Sequence, residues 1–594
     1  MRYITRLLLS AVILLSGTVA IGANPTPAEF AKDIDQLRSL ILNSHAFPFW
    51  AVKKEDLAAI VERAKENVLA KDRCDHSCYA ELLKVVAAVK DGHSGVSSKS
   101  RYEVFGYLPF SVRWFGDELY IVRTSETYKH ILGSKIEKVD GVNLKRVLNE
   151  LKQIVPHTNQ SRFKKFSGSY LHLSGLLHGL GITEKPNEVT LTLRNQNKLF
   201  ESTILRLSPA DEKSTKFVNY SVDKKNRPLH LRQRDSNYWF DYDPNSKLLY
   251  FQLNRIANMK SEGSFAFNEK MWKLVDSKEV DKFVLDLRYN GGGSFPLSLK
   301  FIQAIIDRPN INKRGKLFVI SGFDTFSAAI QMLSQLELRT QAIIVGEPPG
   351  GPTAHPGDSK SFKLDFTGVA INLSSLYHPS LFLNDRSSEV GLDKEIIERW
   401  EDRITGRDPV MDYILRFSSS RRVAASALDF RSYLGTYEYS STRNLRLKDV
   451  GGELWLEVKG ALNTPLYPVG GKSLESEVVD FEVTPVLRGL SIRFPGNNSV
   501  ILARKDSKAL SAFDYLYMGE LKKAEKILAR IKAKTPEYVE LKDHQMSFLA
   551  SIVYFDLLSD SDRKASEIAK GILNMGIRLN DGNAPFCKFS LRFY

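Results

Sequence analysis

The chain is 594 residues long, 43% apolar and 26% charged, with a formal charge of +15. That length is too great for one hydrophobic core and predicts roughly three to five domains, while the composition is that of an ordinary soluble globular protein. The positive excess is spread along the chain and no nucleic-acid motif accompanies it, so it reads as a basic solvated surface and no nucleic-acid partner is expected.

In chain order, residues 1–23 read as a secretory signal peptide: Arg2 and Arg6, a mostly apolar run from Leu7 to Leu15, then small residues at Gly17, Ala20, Gly22 and Ala23. No later stretch is long and apolar enough to span a membrane, so the expectation is an exported protein of a bacterial periplasm or the extracellular space. Residues 24–100 read as helices, with apolar residues at three- and four-residue spacing in "EFAKDIDQLRSLILNSH" and "EDLAAIVERAKENVLA". Cys74 and Cys78 in "DRCDHSCYAE" are spaced to form a disulfide at a helix entrance, which leaves Cys587 over. With His76 between them they lack the ligand number and spacing of a metal site.

Residues 101–210 change to short alternating strands, and a strand, a turn at Asp140-Gly141 and an amphipathic helix suggest a small independent module. "DEKSTKFVNYSVDKKNRPLHLRQRDSN" reads as a polar connection. Residues 240–416 alternate apolar strands ("LLYFQL", "FVLDLRY", "KLFVIS", "AIIVGE") with helices, so α/β order is expected, with ligand chemistry at the carboxyl ends of the strands. After a serine-rich link, residues 428–506 read as a small β-barrel or sandwich. Residues 507–594 read as a helical tail, in which "YMGELKKAEKILARIKAKTP" fits one helical-hairpin repeat of the TPR kind. The fold class is therefore multidomain α/β.

Three places carry reactive groups. Four of the five residues from Phe283 to Leu287 are apolar, as in a strand covered on both faces, and the run then breaks at Asn290-Gly291-Gly292-Gly293. Triple glycine marks positive φ or a close approach to the backbone. In "SGFDTFSAAIQML", Ser327 falls at the start of a helix, where it either caps the helix or presents its hydroxyl beside unpaired amides. In "VKDGHSGV", His93 lies between two glycines at a helix end.

Together, "LDLRYNGGGS", the strand, serine and helix that follow, "AIIVGEPPGG" and "EVGLDKEI" resemble the tail-specific and tricorn-type family of serine peptidases. "KDGHSGV" fits the histidine-containing, tricorn-like branch, and "GSKIEKVDGV" resembles the end of its PDZ-like module. Where the tail-specific branch has a lysine, this chain has Pro352, and Lys360 and Lys363 lie too far along to be assumed substitutes. The resemblance therefore implies Ser327 as nucleophile, His93 as base and Glu389 as the third member, directly or through Ser94. Asp385 is the alternative acid and His355 a rival base.

The resemblance also implies an oxyanion site formed by the amides of Gly291 or Gly292 with that of Ala328. Asp286 and Arg288 are expected to brace the glycine loop. The implied reaction is hydrolysis of a peptide or unfolded protein through an acyl-enzyme, without metal or other cofactor. The family also extends to interphotoreceptor retinoid-binding proteins, so a non-catalytic binding protein for an apolar ligand or peptide is the competing expectation. The joint presence of Ser327, His93 and Glu389 favours the enzyme. A third expectation is an interaction protein whose C-terminal modules recruit a partner.

Overall fold

Helix formation near the N-terminus follows from caps and an apolar stripe. Thr26 and Glu29 form a reciprocal capping box at the start of helix Pro27–Ser44, which buries Phe30, Ile34, Leu37 and Ile41 on one face. The computed structural model describes residues 25–380, 389–418, 423–476, 481–487, 489–493, 500–505, 510–535, 541–557 and 562–591. The expected leader and Asp385 lie outside them. Helix His76–Ala87 is capped by Asp75, whose Oδ1 accepts the Ser77 amide at 2.8 Å. Cys74 and Cys78 straddle that helix start and are joined as a disulfide, with Cα atoms 5.5 Å apart.

The β module is an antiparallel sheet running Phe110–Phe115, Glu118–Ser125, Lys135–Val139, Glu188–Asn195, Lys198–Leu205. Helix Leu144–Lys152 packs Val147 and Leu151 against it, and its apolar side chains merge with those of the N-terminal helices into one continuous core. The segment expected to be a polar connection is more deeply built in than its lysines and arginines suggest. Strand Phe217–Asn219 pairs with Glu118–Ser125, and His230 is fully buried with Nδ1 2.9 Å from Asp408 Oδ2. An imidazole can enter the interior here because a carboxylate awaits it there.

The site is positioned by a six-stranded sheet with neighbours in the order Lys394–Glu395, Ile343–Gly346, Leu317–Ser321, Lys282–Asp286, Leu248–Leu253, Tyr238–Asp243. All pairs are parallel except the last. Apolar side chains leave both faces: Phe251, Phe283, Leu285 and Val319 enter one cluster, and Tyr250, Val284, Phe318 and Ile320 the other. Doubly covered parallel strands need such continuous apolar runs. A hairpin, His355–Lys363 with Ala370–His378, stands beside this sheet and pairs through Asn372 and Ile371 with Gly95 and Val96.

Downstream, eight antiparallel strands follow one another in sequence order around a leucine- and valine-rich core. A Tyr437–Arg504 bridge nearly closes them into a barrel. The helical tail returns to the α/β sheet. Helix Asp543–Leu557 packs on helix Pro296–Ile306 and contributes Ile552 to the core beneath it, while Asp556 pairs with Arg339. Among the described residues no helix is long and apolar enough to cross a membrane.

Candidate active site

The glycine loop and Ser327 meet because they leave the carboxyl ends of adjacent parallel strands, in which Asp286 is registered with Ile320. Two bonds tie the loops together: Thr325 Oγ1 donates to the Leu287 carbonyl at 2.8 Å, and the Phe326 amide to the Asn290 carbonyl at 3.0 Å. Arg288 braces the start of the glycine loop, donating to Asp286 Oδ1 at 3.1 Å and to Asp408 Oδ2 at 3.0 Å. Asp286 and Arg288 thus have the bracing partners expected of them.

Ser327 sits immediately before helix Ala328–Arg339 with φ 56° and ψ −127°, and its hydroxyl does not cap that helix. Positive φ in a residue with a Cβ stores strain, typically 1–3 kcal/mol, and the surrounding packing must hold it. The glycines explain how: a Cβ at Gly292, whose φ is +105°, would lie 2.8 Å from Ser327 Cβ and 2.9 Å from the Phe326 carbonyl oxygen. One at Gly293 would fall on the Ile256 carbonyl, whereas one at Gly291 would meet only open space.

The amides of the loop are not equivalent. Asn290 folds its side chain back in an Asx turn, so that Oδ1 accepts the Gly292 amide at 2.9 Å. That amide is therefore already engaged. Gly293 and Ala328 line the same cleft as Ser327, and Gly291 is exposed beside them. Ala328, as the first helical residue, has an amide with no intrahelical acceptor.

His93 approaches from the N-terminal helices. Its ring packs on Phe326, next to the serine, at 4.3 Å between centroids, and stacks on His355 at 5.4 Å. The backbone of its loop is pinned: the His93 amide donates to Asp91 Oδ1 at 2.9 Å, and Ser359 Oγ donates to the His93 carbonyl at 2.7 Å. His93 Nε2 is enclosed and has no hydrogen-bond partner, so it does not share a proton with Ser327 in this conformation. Burial, aided by the nearby Arg162 guanidinium, lowers the His93 pKa to about 4 against the pull of Asp91, and the ring is neutral near pH 7.

Asp91, two residues from His93, is a buried carboxylate that sequence reading passed over. Its Oδ2 receives His45 Nε2 at 3.1 Å, Ser94 Oγ at 2.6 Å and Ser374 Oγ at 2.5 Å, and its Oδ1 lies 3.9 Å from His93 Nδ1. Burial alone would raise its pKa, but these donors and the His93 charge hold it at about 2. Ser94 also accepts the Ser374 amide, so it serves this network. Glu389 is elsewhere engaged: its Oε2 accepts Asn159 Nδ2 at 3.3 Å, and burial raises its pKa. His355 is buried behind His93 with Nδ1 3.1 Å from the Pro352 carbonyl, and Lys360 and Lys363 are exposed along the hairpin.

The cleft that contains Ser327 has a volume of about 770 Å³. His378 and Asp358, paired at 2.8 Å, line it from the hairpin, and His544 and Phe548 line it from helix Asp543–Leu557. No sequence motif marked these four; only the register that sets His355 opposite His378, and the return of the tail, assemble them.

No family model and no curated protein matches the chain. Among solved structures, it is similar to mature CPAF complexed with lactacystin, at 13% identity and a TM-score of 0.47, covering 65% of this chain and 97% of that one. It is also similar to the photosystem II D1 C-terminal processing protease, at 13% identity and a TM-score of 0.32, covering 66% of this chain and 97% of that one. The tricorn protease is a third, at 13% identity and a TM-score of 0.30, with 66% of this chain covering 36% of that one. What the present site can do is read from its own residues.

Proposed function

We propose that the chain is a serine peptidase in which Ser327 Oγ attacks a peptide carbonyl and His93 takes its proton. The observation that carries this reading is a strained serine, facing a cleft, on a loop interlocked with a glycine loop, with a neutral and unpartnered imidazole packed against the neighbouring Phe326. A neutral imidazole can accept a proton, which an imidazolium cannot. Catalysis then requires Ser327 and His93 to close into a hydrogen bond when substrate enters, as catalytic pairs that are loose at rest do.

The tetrahedral oxyanion would be held by the Ala328 amide together with that of Gly293 or Gly291, each donor contributing roughly 3–4 kcal/mol in comparable sites. With its proton delivered by His93, the amine product leaves, and water then hydrolyses the acyl-enzyme by the reverse roles. For the carboxylate behind His93, Asp91 is supported by its 3.9 Å approach to Nδ1, whereas Glu389 is held by Asn159. Glu389, which the family resemblance implies, is the second reading. The substrate is a peptide or unfolded protein, and export to an oxidising compartment is supported by the Cys74–Cys78 disulfide.

The test is labelling by a fluorophosphonate probe. Labelling of the wild type that Ser327→Ala and His93→Ala both abolish is the expected result. A folded wild-type protein that does not label would overturn the enzyme and leave a binding protein for an apolar ligand or peptide.

A further inference from the structure

Helix Asp543–Leu557 is amply explained as a docking element by Ile552 in the core, the Arg339–Asp556 pair, and His544 Nε2 and Gln545 Nε2 on the Tyr377 carbonyl at 2.8 and 3.1 Å. Met546, Leu549, Ala550 and Val553 enter the tail's own core. Phe548 and Phe555 lie outside that core: each is partly buried against the core of the α/β sheet and also lines the cleft that contains Ser327. Phe548 meets Phe295, two residues beyond Gly293, at 5.1 Å between ring centroids. Farther along the same cleft, Phe265 and Phe586 are 39% and 42% exposed, which for two phenylalanines lining one hollow is an uncovered apolar surface.

Among the described residues, each charged group and histidine that lines the cleft has a partner. Asp358 is paired with His378 at 2.8 Å, Lys300 lies 3.5 Å from Glu269 and over the Phe265 ring, and His544 is bonded to the Tyr377 carbonyl. A charged substrate side chain would therefore have to compete with these pairs for a counter-charge while losing part of its hydration. An aromatic or long aliphatic one would exchange water for ring contacts, and buried aromatic pairs add about 0.5–1.5 kcal/mol beyond the area they cover.

We infer that helix Asp543–Leu557 is the selecting wall of the substrate cleft, and that the peptide accepted at Ser327 carries an aromatic or large aliphatic side chain close to the scissile bond, seated between Phe295, Phe548 and Phe555. This rests on the peptidase reading for the location of the scissile bond, but it is decided by binding, not turnover. The Ser327→Ala protein is titrated with fluorescein-labelled peptides that are identical except for Phe, Ala or Asp at successive positions, and anisotropy is read. At one position the Phe peptide should bind about tenfold more tightly than the Ala peptide, and the Asp peptide most weakly. In the Ser327→Ala, Phe548→Ala double variant the difference between Phe and Ala should vanish.

Phe548→Leu and Phe555→Ala are run in parallel with melting curves, so that a variant that fails to fold does not decide the matter. Leu should keep most of the preference and Phe555→Ala should reduce it. No preference for Phe at any position, or one that Phe548→Ala and Phe555→Ala both leave intact, overturns the inference. Failure of wild-type labelling with aromatic binding retained would instead overturn the peptidase reading and leave the cleft's apolar selectivity standing.

Discussion

The imidazoles of His93 and His355 lie nearly parallel, 9° between planes and 5.4 Å between centroids, and burial drives both toward neutrality. The pKa values fall to about 4 for His93 and about 3 for His355, and for His355 the proximity of the His93 charge adds to the burial. Unfolded histidines titrate near 6.5. The unfolded chain therefore binds more protons than the fold once the pH drops below that value. The stability these rings contribute is whole above pH ~6.5 and is lost as pH falls through about 4 and then about 3. Urea unfolding between pH 7 and 4 should show a slope that becomes shallower by up to ~1.4 kcal/mol per pH unit in His355→Asn, which removes one of the two titrating rings. Labelling of Ser327, if His93 is the base, should keep its rate well below pH 6.5 and fail only near the His93 pKa of about 4.

Ser327 reaches the cleft with a φ of 56°. Ser327→Gly should relieve that strain and Ser327→Ala should not, because alanine keeps the Cβ. We expect the glycine variant to be about 1 kcal/mol more stable than the alanine variant by equilibrium unfolding, with labelling absent from both. Equal stabilities would mean that the backbone is not held there at a cost.

Gly291 and Gly292 are neighbours with opposite expectations. A Cβ at Gly291 meets open space, so Gly291→Ala should alter stability by no more than about 0.5 kcal/mol. At Gly292 the added methyl would collide with Ser327 Cβ at 2.8 Å, and the φ of +105° disfavours any side chain. Gly292→Ala should lose labelling and at least about 2 kcal/mol of stability. Thermal melting of the two variants, read beside their labelling, checks both statements.

Asp91 and Glu389 are separated by two isosteric changes. Asp91→Asn leaves His45, Ser94 and Ser374 competing for a weaker acceptor and should cost about 3 kcal/mol or more. It should also slow labelling per folded molecule by about tenfold or more, because the imidazolium loses its support. Glu389→Gln keeps an acceptor for Asn159 and should change stability by less than about 0.5 kcal/mol. Slow labelling in Glu389→Gln with Asp91→Asn unaffected would restore Glu389 as the third member.

The sheet that carries Ser327 was legible because strands covered on both faces must be apolar along most of their length, as "FVLDL" and "LFVIS" are at four positions in five. Its loops were legible because glycine triplets and a serine at a helix start have few physical uses. Asp91 was hidden by its ordinariness: an aspartate two residues before a turn histidine looks solvated until His45 and Ser374 arrive from 46 and 283 residues away. Likewise, helix Asp543–Leu557 is apolar nearly all round, which says that it is enclosed but not by what. The stretch around His230 reads as a polar connection for the same reason, since Asp408, its partner, lies 178 residues downstream.

Arg339 and Asp556 are 217 residues apart in sequence, yet together they fix the tail helix beside the cleft. Synthesis proceeds from the N-terminus at about 5–20 residues per second, and upstream domains fold first. The strands, the glycine loop and the serine therefore leave the ribosome well before the helix that walls their cleft. Until that helix docks, the cleft beside Ser327 lacks the wall that His544, Phe548 and Phe555 supply.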